Sequence, residues 1–92
     1  MSDHSETPLL DDAFPCEFPV KVMGASVPEF HERVEAIVRR HVPEVSSQAF
    51  SSRPSRNGRY VAITVVVQAR SRQHMDALYQ DLTACELVTM AL

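Results

Sequence analysis

The sequence predicts an α+β domain of ferredoxin-like type, in the order β-α-β-β-α-β, with a four-stranded antiparallel sheet and two helices on one face. Three observations predict it. Two segments repeat their apolar residues at helical spacing, four others read as strands, and an Asn-Gly pair sits between the second and third strands. Right-handed crossovers interlock two β-α-β halves into one sheet with spatial strand order 4-1-3-2.

The first strand starts at Glu17, where Phe18, Val20 and Val22 alternate with Pro19, Lys21 and Met23. Gly24 is expected to end it. Ser26 followed by Glu29 reads as a capping box, with Pro28 in the first turn, so the first helix is expected to begin there. Phe30, Val34, Ile37, Val38 and His41 then share one helical face, while Glu29/Arg33 and Glu35/Arg39 stand as i, i+4 pairs on the other. Pro43 stops this helix.

Gln48 to Pro54 is rich in Ser, with Phe50 as its one large apolar residue, and suits an edge strand. Asn57-Gly58 reads as the centre of a type I′ hairpin turn, whose two middle positions need positive φ. The third strand is expected from Arg59 to about Ala69. Val61, Ile63, Val65 and Val67 fall on one face, and Tyr60, Ala62, Thr64, Val66 and Gln68 on the other. Two largely apolar faces make it central. Ser71 caps a second helix through Met75, Leu78, Tyr79 and Leu82, with Arg72/Asp76 as an i, i+4 pair. In Glu86 to Leu92, Val88, Met90 and Leu92 alternate with Leu87, Thr89 and Ala91, which predicts a fourth strand.

A chain of 92 residues makes one domain, and its 45% hydrophobic and 23% charged residues are ordinary for a globular one. Residues 1–15 mix acidic residues with Ser, Thr and Pro and read as a disordered tail, leaving residues 16–92 as the domain. The run from Val61 to Val67 falls far short of the roughly 20 apolar residues of a membrane span. No signal-peptide pattern opens the chain, so a cytoplasmic location is expected. The formal net charge of −3 is uneven: residues 1–17 hold Asp3, Glu6, Asp11, Asp12 and Glu17 with no Lys or Arg. The domain itself is therefore mildly basic.

Three stretches, Lys21-Val22-Met23-Gly24, Arg53-Pro54-Ser55-Arg56-Asn57-Gly58-Arg59-Tyr60 and Leu87-Val88-Thr89-Met90-Ala91-Leu92, together resemble the YbeD-like family of small uncharacterised bacterial proteins. The resemblance covers roughly residues 17–92. It implies an ACT-like version of the ferredoxin fold, similar to the regulatory domains that bind amino acids in metabolic enzymes. ACT domains hold their ligand near the loop between the first strand and first helix, the place taken here by Gly24, Ala25, Ser26 and Val27. The Asp/Asn-x-Pro-Gly pattern usual in that loop is absent.

Chemistry-bearing motifs are scarce. No nucleophile elbow, zinc-protease motif or phosphate-binding Gly loop is present, and pairs such as Glu29 and Glu32 read as solvated helix faces, so no enzyme is expected. No cofactor is expected either. Cys16 and Cys85 lack zinc-ligand spacing, and strand geometry sets them about 20 Å or more apart, beyond the roughly 7 Å a disulfide allows. His4, His31, His41 and His74 show no i, i+4 pairing, and His41 suits the C-terminal end of the helix dipole.

Two surfaces remain. Arg53, Arg56 and Arg59 crowd one hairpin, which suggests an RNA-binding module as an alternative, but only Tyr60 could stack a base there and the RNP signature is missing. The sheet face away from the helices is expected to show Lys21 and Met23, then Tyr60, Ala62, Thr64 and Val66, then Leu87 and Thr89. Such a half-apolar patch predicts a homodimer or a partner protein. The resulting expectation is a regulatory or protein-interaction module that senses a small metabolite.

Overall fold

A computed structural model of the protein describes residues 15–92, so the tail expected over residues 1–15 lies, apart from Pro15, outside the described residues. The elements run β1 (Cys16–Ala25), α1 (Pro28–His41), a 3-10 turn (Ser47–Ala49), β2 (Phe50–Pro54), β3 (Tyr60–Ala69), α2 (Arg72–Ala84) and β4 (Val88–Ala91). All neighbouring strands are antiparallel, in the order β2-β3-β1-β4. This is the expected 4-1-3-2 sheet.

The middle of the sheet is an uninterrupted β1–β3 ladder from Cys16 opposite Ala69 to Ala25 opposite Tyr60. Because side chains alternate across a strand, that register turns Val20 and Val22 to the same side as Ile63, Val65 and Val67. Phe30, Val34, Ile37 and Val38 of α1 and Met75, Leu78 and Leu82 of α2 pack onto them in one buried cluster. Both helices therefore cover one face.

Three local expectations need correction. Gly24 does not end the first strand but lies inside β1, opposite Val61. A methyl group there would overlap the Phe30 ring and the Leu87 carbonyl, so the position serves close packing. Ser26 does not cap α1: its N–H donates to the Arg59 carbonyl at 3.1 Å, extending the β1–β3 ladder. The N-cap passes to Val27, which has no side-chain cap, and Pro28 follows it. Ser71 does cap α2, its hydroxyl accepting from the His74 N–H at 3.0 Å.

The third correction concerns the hairpin, where residues 55–59 join β2 to β3 rather than Asn57-Gly58 alone. A bond from the Gly58 N–H to the Ser55 carbonyl, 3.0 Å, closes a turn around Arg56 and Asn57. Gly58 follows that turn at φ +77°. Asn57 contributes through its side-chain oxygen, which accepts from the Arg59 N–H at 3.1 Å and the Ser55 hydroxyl at 3.0 Å. The Asn-Gly pair marks the hairpin correctly, but an Asx-type turn replaces the two-residue one.

Candidate functional site

The face of the sheet turned away from the helices is built by the same alternation that builds the core. Lys21 lies opposite Thr64, Met23 opposite Ala62, Pro19 opposite Val66 and Ala25 opposite Tyr60. On the β2 side, Ser51 pairs with Thr64 and Arg53 with Ala62. On the β4 side, Met90 pairs with Met23, and reciprocal backbone bonds of 3.0 and 2.7 Å join Lys21 to Leu92. Two rows thus cross the sheet, Leu92-Lys21-Thr64-Ser51 and Met90-Met23-Ala62-Arg53.

The expected residues Lys21, Met23, Tyr60, Ala62, Thr64 and Val66 all reach this face together. β4 departs from expectation. Its register against β1 shifts between Met23 and Gly24, leaving Thr89 exposed without a partner, so strict alternation breaks. Leu87 lies in the turn ahead of β4 and packs against the core with Val88 and Ala91, while beyond the bulge Met90 and Leu92 turn outward. No turn residue in the sequence announces this bulge, which is why simple alternation missed Met90 and Leu92, and it put Leu87 on the open face because it counted that turn residue as strand.

Among the described residues, the exposed large apolar ones are Met23, Val27, Tyr60, Val66, Met90 and Leu92. All but Val27 belong to the open face. They are also well exposed, from 36% for Met23 to 62% for Leu92.

The four positions expected to hold a ligand are divided. Gly24 is buried against Phe30, and Ala25 is engaged in the ladder with Tyr60. Ser26 and Val27 line a cleft of about 330 Å³ between the start of α1 and the edge of β2, with Phe30, His31, Ser52 and Val61 as walls. No Lys, Arg, Asp or Glu lines it. His31 sits 3.6 Å from Glu35 and 6.1 Å, ring to ring, from Phe50.

Arg56 and Arg59 are exposed at the hairpin, and Arg53 points from β2 onto the open face. The described cysteines are both free thiols, Cys85 buried and Cys16 half-buried. Among the described residues, no three His, Cys, Asp or Glu side chains gather as a metal site. No described helix is long and apolar enough to cross a membrane.

On the helix side a polar cluster ties the end of α1 to α2. The His41 ring donates from Nε2 to Asp81 at 2.6 Å, and Arg40 reaches the same oxygen at 3.2 Å. The His41 carbonyl accepts from His74 Nε2 at 2.7 Å and from Arg70 at 3.3 Å. The Arg70 N–H donates to His74 Nδ1 at 3.1 Å, which fixes His74 as the Nε2–H tautomer. Hydrogen bonding from His41, reinforced by the charges of His41 and Arg40, holds the Asp81 carboxyl below its ordinary range. His41 and Asp81 lie too far apart in sequence for any local spacing rule to have paired them.

Four antiparallel strands with two helices on one side, and on the other a partly apolar face that no described element covers, define a small ferredoxin-like domain of ACT-like type. The chain belongs to the family described as protein of unknown function DUF493, whose profile matches residues 12–92. It is 43% identical over 79 residues to a UPF0250 protein of Paraburkholderia phytofirmans, covering 86% of this chain and 89% of that one. A UPF0250 protein of Hahella chejuensis is 40% identical over 87 residues, covering 95% and 93%. Among solved structures, protein HP0495 from H. pylori superposes with a TM-score of 0.71 at 14% identity, covering 100% of this chain and 94% of that one. The uncharacterized protein TM1266 from Thermotoga maritima gives 0.61 at 12% identity, covering 83% and 92%. At such identities the likeness is one of fold.

Proposed function

We propose that this protein is a non-catalytic interaction module that docks through its open sheet face and whose docking responds to a small ligand. The observation that carries the reading is the confinement, among the described residues, of exposed large apolar side chains, Val27 excepted, to that one face. Scattered apolar residues are ordinary on a surface, but a contiguous patch marks an interface. Strands of 10, 5, 10 and 4 residues give the face a footprint of about 460 Å², a little over half the roughly 800 Å² per partner of a standard interface. A second copy of the chain is the occupant.

The chemistry of the face favours a protein surface over RNA. Its apolar members are aliphatic apart from Tyr60, whereas base stacking calls for several aromatic platforms. Sedimentation over a concentration series tests the reading: a dimer is expected, with Met23→Glu or Val66→Glu weakening it at least tenfold. A monomer at every concentration would overturn the second copy as occupant. A monomer that binds RNA, with loss of binding in Arg53→Ala and Arg59→Ala, would replace the reading with the nucleic-acid one.

A further inference from the structure

We infer that the open face contains a binding site for a small organic anion, a carboxylate or phosphate carrying a compact apolar group, in the hollow between Lys21 and Arg53. The hollow is about 350 Å³, within the range of roughly 300–1,000 Å³ typical of ligand sites. It exists because short side chains sit among long ones: Ala62, Thr64 and Ser51 form a floor between Lys21, Met23 and Arg53. The sheet register therefore makes a cup of mixed character. Met23 and Ala62 offer apolar contact, and the Thr64 hydroxyl offers a hydrogen bond, while that of Ser51 donates to the Thr64 carbonyl at 3.5 Å. Lys21 and Arg53 line opposite sides.

The charge of the cup sets it apart from the other described hollows. The cleft beside Ser26 and Val27 has no charged lining residue, and the hollow near Val42 and Val66 is lined by Glu17 and Glu44 with no Lys or Arg. Three other cations of the domain are paired, Arg39 with Glu35, Arg40 with Asp81 and Arg70 with Glu44, and none of the rest lines either of the other two hollows. Among the described residues, no Asp or Glu carboxylate lies within 4.0 Å of the Lys21 ammonium or the Arg53 guanidinium, although the Leu92 carboxyl oxygen accepts from the Lys21 backbone N–H at 3.0 Å. Arg53 can meet a planar carboxylate or a phosphate with two parallel N–H donors, and Lys21 supplies a mobile point charge.

The site also bears on docking, and this second part rests on the function proposed above. Covering Lys21 and Arg53 with the same face of a second copy would desolvate four like charges, two from each copy. An anion held between them supplies the missing counter-charge, so anion binding and association are expected to strengthen one another.

Titration of the full chain with sodium phosphate and with sodium hexanoate, against sodium chloride at matched ionic strength, tests the site by backbone amide shifts. Saturable shifts are expected at Lys21, Ser51, Arg53, Ala62 and Thr64. Lys21→Gln and Arg53→Gln should each weaken binding about tenfold, the loss of one charge-assisted contact, while Arg59→Gln at the hairpin leaves it unchanged. Tighter hexanoate binding assigns a carboxylate ligand, and tighter phosphate binding a phosphate. Shifts that merely follow ionic strength, or that persist in Lys21→Gln and Arg53→Gln, would overturn the site. Sedimentation with saturating probe separates the two ideas. Saturable binding to a chain that never dimerises keeps the site and removes the docking reading. Dimerisation unaffected by either anion removes the linkage.

Discussion

The chain's two glycines illustrate how one residue type answers two different demands. Gly58 has φ +77° and open space around the place of a Cβ, so its need is conformational. Gly58→Ala should cost about 1–2 kcal/mol, the penalty of a left-handed backbone for an L-residue. Gly24 is needed for space, because a methyl would meet the fully buried Phe30 ring and a backbone carbonyl. Gly24→Ala should cost about 2–3 kcal/mol by overpacking. Thermal melting should rank Gly24→Ala below Gly58→Ala, and the reverse order would contradict the packing argument. Asp81 carries the residue-scale pH dependence. Its carboxyl is held below its ordinary value near 3.8, so its contribution is present above that value and is lost as the pH falls through the lower, folded value. Wild type should therefore lose more stability than Asp81→Asn between about pH 5 and pH 2, as read by urea unfolding.

At the scale of elements, the helices separate a cap that acts from one that only looks as if it should. Ser26 and Glu29 have capping-box spacing, but the Ser26 amide joins the sheet ladder and the cap moves to Val27. Ser71 accepts from the His74 amide as its sequence position suggests. Ser71→Ala should lower stability by about 1 kcal/mol, and Ser26→Ala should leave it nearly unchanged, both measurable by chemical denaturation. The difference shows where the sequence was legible. Periodicity located both helices and their buried stripes because one-sided burial needs only local spacing. It could not locate the start of α1, because the competing partner of Ser26, the Arg59 carbonyl, lies far away along the chain. β4 makes the same point: the bulge at Thr89 inverts the phase that alternation assigns, and that bulge is set by how β4 meets β1.

For the whole molecule, the fold was legible because strand order follows from a few handedness and connection rules once the elements are known. The open face was legible in its β1 and β3 residues, whose alternation is unbroken, and illegible at its β4 margin. The hollow between Lys21 and Arg53 was wholly out of reach, since it depends on which short residues the register sets between which long ones. The cluster joining His41, Asp81, His74 and Arg70 was equally hidden, although it fastens the end of α1 to α2.

The unbroken β1–β3 ladder has a further consequence, for the order in which the chain can acquire structure. Its paired residues are separated by 35 positions at Ala25 and Tyr60 and by 53 at Cys16 and Ala69. β1 and β2, the strands made first, are never neighbours in the sheet. A nascent chain that has emerged only as far as β2 therefore holds two strands with nothing to pair with, and a helix without its floor. Only when β3 appears does a single strand satisfy both of them at once. The slow step of folding is accordingly expected to be the long loop closure that seats β3 between β1 and β2, with the local hairpin forming ahead of it.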